Sequence, residues 1–82
     1  MPNLYMRELL LEVVENQIKG GDPPETKSTL ERLVSQGIER KEAKRLIACV
    51  IAGEMFDILK SQEPFNRQRF VDALDRLPVL DE

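Results

Sequence analysis

Apolar residues recur along this chain at three- and four-residue intervals in four segments, and no stretch alternates with a period of two for long enough to make a strand. The pattern predicts an all-α domain, a small four-helix bundle spanning residues 1–82, with helices roughly over 3–19, 23–36, 40–60 and 66–77. In the first helix Asn3 is placed to cap, Gly20 to stop, and Met6, Leu10, Val13, Val14 and Ile18 to form the apolar stripe, widened by Leu9 and Leu11.

The run Gly20-Gly21-Asp22-Pro23-Pro24-Glu25 reads as a helix start, with Asp22 as cap, Pro23 in the first helical position and Glu25 closing a capping box. The second stripe is Thr26, Leu30, Leu33 and Val34; Gly37 ends it, and Ile38 stands where a Schellman motif brings an apolar residue back against Leu33.

The third helix is the predicted axis. Ala43, Leu46, Ile47, Val50, Ile51, Met55, Ile58 and Leu59 make one continuous apolar face, and Ala48, Cys49, Ala52 and Gly53 make the other side small. Its centre has no charge between Arg45 and Glu54, which predicts burial all round. Glu63-Pro64 then breaks the chain. Asn66 caps the last helix, Phe65 and Phe70 have staple spacing, Phe70, Ala73, Leu74 and Leu77 face inward, and Pro78 stops it, leaving Val79 to Glu82 to dock or fray.

Composition changes this picture mainly by exclusion. The 82 residues suit one core, and 41% hydrophobic with 33% charged residues suits a globular chain. With no histidine, no Ser-His, Cys-His or His-metal chemistry is available, and Cys49 alone makes neither an intrachain disulfide nor a thiolate zinc site. No phosphate-cradling glycine loop follows a strand, so a non-enzyme without cofactor or metal is expected. A net charge of −3 argues against coating nucleic acid or an anionic membrane. The lack of an apolar span or signal-peptide layout points to the cytoplasm.

Four features are candidates for function. Gln17 and Glu54 are polar residues set within apolar stripes, read as buried polar groups; Glu54 is expected at the rim of the core, satisfied by an arginine or a water, the alternative being a raised-pKa acid or a polar pin that fixes helix register. Arg40, Lys41, Lys44 and Arg45 crowd a helix N-terminus, where the macrodipole favours anions. Their expected partners are Glu8, Glu12 and Glu15, the alternative being an anion or phosphate site. The segment Leu33 to Leu46 has the glycine turn and basic second helix of a helix-turn-helix, which the acidic balance of the chain outweighs. Finally Ala48, Cys49, Ala52, Gly53 and Phe56 form a face for close helix packing, since glycine inside a helix costs about 1 kcal/mol relative to alanine. Self-association through that face, as a protein interaction or structural module, is the expected function.

The segments Val13-Val14-Glu15-Asn16-Gln17, Asp22-Pro23-Pro24-Glu25, Arg32-Leu33 and Gly37-Ile38-Glu39-Arg40-Lys41-Glu42 resemble a family of small, uncharacterised bacterial all-helical proteins. The resemblance implies a helical fold, without an established activity. Its members carry an H-x-x-x-H pair in the first helix and further histidines in the R-H-E-like run that opens the third. Those positions fall on Arg7 and Leu11, and on Lys41 and Arg45, so any metal site the histidines build is missing here. Three cations among the four replacements turn the expectation to a small anion held by Arg7, Lys41 and Arg45. Glu42 and Glu54 match acidic positions of the pattern.

Overall fold

The computed structural model describes residues 4–62 and 64–80 and shows four helices: α1, Leu4–Gly20; α2, Pro24–Ser35; α3, Arg40–Ser61; and α4, Arg67–Arg76. Among the described residues there is no strand, and no helix is long and apolar enough to cross a membrane. The caps at Asn3 and the break at Glu63, with the side chain of Met6 and the last two residues, lie outside the described residues.

Helices α1, α2 and α4 all pack on α3, while α2 also touches α1 and α4; α1 and α4 do not meet. The core gathers where α2 and α3 cross, from Leu30, Leu33, Ala43, Ile47 and Leu46, with Val14 entering from α1 and Phe70, Leu74 and Leu77 from α4. Leu10, Leu11 and Ile18 pack against its edge. The radius of gyration, 12.3 Å, is close to the ~12 Å expected of a single folded domain this long.

Several local signals act as the sequence predicts. The Asn66 side chain accepts the Arg69 amide at 2.9 Å, and the Phe65 and Phe70 rings lie 5.7 Å apart, closing the staple. At the end of α2, Gly37 takes φ +93°, its amide donates to Val34, and the Ile38 amide donates to Leu33: a Schellman motif.

Others are corrected. The left-handed stop after α1 is Gly21, φ +65°, with Gly20 still helical. Helix α2 starts one residue late, at Pro24, and neither Asp22 nor Glu25 caps it. Pro23 is extended, φ −75° and ψ 147°, because a residue that precedes a proline is pushed out of the helical region, and Pro23 precedes Pro24.

The inward faces also shift. Val13 and Leu9 are exposed, so the α1 stripe is Leu10, Leu11, Val14 and Ile18; Val34 is exposed, and Thr29 takes its place in the core. Met55 and Leu59 are exposed, and α3 is not enclosed at its centre, where Cys49 and Gly53 face out. Two causes act: α2, with 12 residues, and α4, with 10, are shorter than the 22-residue α3, and at the middle of α3 the three packed helices leave the side that carries Cys49 and Gly53 open.

A polar clasp joins distant parts of the chain. The Arg32 guanidinium donates to the Leu77 carbonyl at 3.0 Å and to the Leu74 carbonyl at 2.9 Å, satisfying the last turn of α4 from α2. The inward face of α2 is directly testable by urea unfolding. Leu33→Ala should cost about 3 kcal/mol by opening a core cavity, whereas Val34→Ala should change stability by about 0.5 kcal/mol or less.

Candidate functional site

Glu54 lies at the level where α3 leaves the core. Its side chain is only 8% exposed, and its carboxylate is gripped by the Arg69 guanidinium from α4, with Nε at 2.9 Å from Oε1 and Nη2 at 2.9 Å from Oε2. Asn66 makes this possible: capping α4 through the Arg69 amide fixes the turn that carries Arg69 toward α3. A buried carboxylate without such a fork would lose its hydration for nothing in return. Of the expected partners for Glu54, an arginine or a water, the arginine is Arg69.

Gln17 is half-buried on α1, and its side-chain oxygen accepts the Thr26 hydroxyl at 2.8 Å, which satisfies a fully buried residue of α2. The Gln17 amide nitrogen has no hydrogen-bond partner among the described residues. Gln17 and Glu54, marked separately in the sequence, line the same groove, a cavity of about 360 Å³ between α1 and α4 with α3 as its floor. The groove exists because α1 and α4 do not touch, leaving the strip of α3 around Ile51, Met55 and Ile58 open between them. Asp22 and Arg67 stand on its rim, Arg67 being held by Glu25 at 2.6 Å. A second groove, about 280 Å³, runs on the other side of Glu54 between α3, α4 and the exposed Val79 and Leu80. Glu54 therefore forms part of the wall of both.

The predicted basic cluster also comes together. Arg7, Lys41 and Arg45 line one surface concavity of about 150 Å³ with Glu39 and Glu42. Leu11, the fourth position marked with them in the sequence, packs against the core instead. Of the expected acidic partners only Glu15 serves, binding Lys44. Arg45 is held instead by Glu42 on its own helix, with two contacts of 2.7 Å, and that carboxylate drives the guanidinium pKa further up. Reciprocally, Arg45 lowers the pKa of Glu42. Arg7 and Lys41 have no ion-pair partner among the described residues. No group of three His, Cys, Asp or Glu side chains suited to a metal is found among the described residues.

The predicted self-association face splits. Ala48 is buried and Ala52 half-buried, while Cys49, Gly53 and Phe56 are exposed, Phe56 to 62%. Sequence reasoning missed that Leu59, 79% exposed, joins this outward surface and that Met55 is exposed beside the groove between α1 and α4, because periodicity assigns both to the apolar face without showing where the covering helix ends.

Two ion pairs make different predictions. Arg69→Met should cost about 2 kcal/mol, below the ~3–5 of a fully enclosed pair because a third of Arg69 meets solvent, and Glu54→Met with Arg69→Met should recover most of the loss in urea unfolding. For Glu15, the hydrogen-bonded Lys44 ammonium lowers the carboxyl pKa, ahead of the opposing desolvation. A carboxyl lowered by folding stabilises the fold above its unfolded pKa and loses that contribution as pH falls through its folded value. Lys44→Met should thus cost at most about 1 kcal/mol at neutral pH, the pair being partly exposed, and the difference should vanish in acid well below the usual carboxyl pKa of about 4.3. Compared with protein-family models, with curated proteins and with solved structures, the chain finds no match, and its function has to be read from this geometry.

Proposed function

We propose that this domain is a non-catalytic interaction module that pairs with a second copy of itself through the outer face of α3. The observation that carries this reading is Gly53. A Cβ built there meets nothing within 4 Å, so the fold of one chain gives no reason for a glycine that costs the helix about 1 kcal/mol relative to alanine. Beside it stand Phe56 and Leu59, 62% and 79% exposed, on the same side of the helix. An antiparallel pairing of two α3 helices about a two-fold axis at Phe56 sets Leu59 of each copy over Gly53 of the other, and a self-complementary contact of this kind closes at two copies. Such pairing also suits a chain whose single core is small. A cytoplasmic setting, in which the exposed Cys49 stays reduced, fits the reading.

A second reading has its own support. Arg7, Lys41 and Arg45 converge from α1 and α3 on one concavity, and two of the three lack an ion-pair partner among the described residues. Phosphate or a nucleic-acid backbone is the ligand this cluster would take, weakened by the two glutamates that share it.

Light scattering across a concentration series should show a mass approaching twice the 9.4 kDa of the chain, and Phe56→Glu should return it to one copy with the helical content unchanged. Gly53→Ala separates the roles of the glycine: it should stabilise the monomer by up to about 1 kcal/mol and weaken the pairing. A wild-type chain that stays a monomer at the highest attainable concentration contradicts the proposal.

A further inference from the structure

The groove between α1 and α4 is separate from the outer face of α3 that would pair, and what it offers can be read group by group. Its volume of about 360 Å³ falls within the range of small-molecule sites, and its walls are largely hydrocarbon, from Ile51, Ile58, Phe65 and Phe70, with Met55 at the mouth. Three charged residues line it, Asp22, Glu54 and Arg67. Arg67 is neutralised by Glu25 and Glu54 by Arg69, whereas Asp22 has no ion-pair partner among the described residues. The local balance is therefore negative, and an incoming group that matches it is a cation. The remaining polar lining is Gln17, whose oxygen is taken by Thr26 and whose amide nitrogen is left to donate. A donor asks for an acceptor oxygen on the same ligand.

We propose that this groove binds an α-amino carbonyl compound with an apolar side chain, such as an amino-acid amide or the first residue of a peptide. The side chain lies among Ile51, Ile58 and Phe65, the ammonium meets the acidic rim at Asp22, and the carbonyl oxygen accepts from the Gln17 amide. All three groups of the ligand are needed. An apolar compound alone leaves Asp22 and Gln17 solvated as before, and an anion meets the wrong charge. The site takes its polar groups from two separated elements, α1 and the turn before α2, and its walls from α3, the segment before α4 and α4 itself, so it exists only in the folded domain.

The test is a titration of the isotope-labelled full chain, followed by amide chemical shifts, at about pH 6.5, below the α-amino pKa of about 7.7. Phenylalaninamide should give saturable shifts centred on Gln17, Asp22, Ile51 and Phe65. N-acetylphenylalaninamide, which lacks the charge, and phenethylamine, which lacks the carbonyl, should each bind about tenfold more weakly, the loss of one charge-assisted or neutral contact. Asp22→Asn, at an exposed position, should remove the preference for the amine over its acetylated form while leaving the helical signal intact. A phenylalanine-led tripeptide amide that binds as well as phenylalaninamide assigns the groove to peptide N-termini, and its exclusion assigns it to free amides. Absence of saturable shifts with phenylalaninamide, or equal binding of the acetylated form, overturns the proposal.

Discussion

Everything in this domain leans on α3, and α3 has more apolar surface than its neighbours have length to cover. Burial of that surface is the main favourable term available to a chain whose single cysteine forms no intrachain disulfide. Near Ala43, Ile47 and Leu46 the demand is met, because α1 and α2 close over the axis from two sides. Past Ile51 the short α2 has ended and α4 approaches on one flank only. The outer ridge at Phe56 and Leu59 and the groove beside Val79 follow from this mismatch, and the groove between α1 and α4 from the gap between those two helices.

At the point where coverage fails, the chain places a charge pair where a third hydrophobic layer would otherwise be. Glu54 and Arg69 contribute little net stability compared with well-packed hydrocarbon, since both lose hydration when they meet. Their effect is on register. Sliding α4 by a turn along α3 would leave the carboxylate enclosed and alone, which is far costlier than a misplaced leucine. The capping of α4 by Asn66 and the Phe65–Phe70 contact act on the same few residues, so three interactions together fix the start of α4.

Features encoded within a few residues of one another were legible in the sequence: the Asn66 cap, the Schellman turn at Gly37, the aromatic staple and the existence of all four helices. Pro23 shows how such a signal is overruled by its neighbour, since the favoured first-turn proline becomes Pro24 once the pair is considered together. What depended on where one helix ends relative to another was not legible. Val34, Met55 and Leu59 all fit an apolar period and all face solvent. Gln17 and Glu54 could be singled out as polar intrusions, and Arg7, Lys41 and Arg45 as a set. That Gln17 and Glu54 share one groove follows from α1 and α4 failing to touch, which no local pattern records. Glu25 likewise was read as a cap for its own helix and is bound to Arg67, 42 residues away.

The Arg32 clasp carries a consequence for the order in which the molecule is assembled. Its acceptors, the carbonyls of Leu74 and Leu77, lie 42 and 45 residues after Arg32. Because α4 follows α3 in the chain, the Arg32 guanidinium stays hydrated until α4 has been made and has docked. Closure of the clasp then requires α4 to have formed and ended at the right residue. The clasp thus ties α2 to the end of α4 and forms only when both helices are in place.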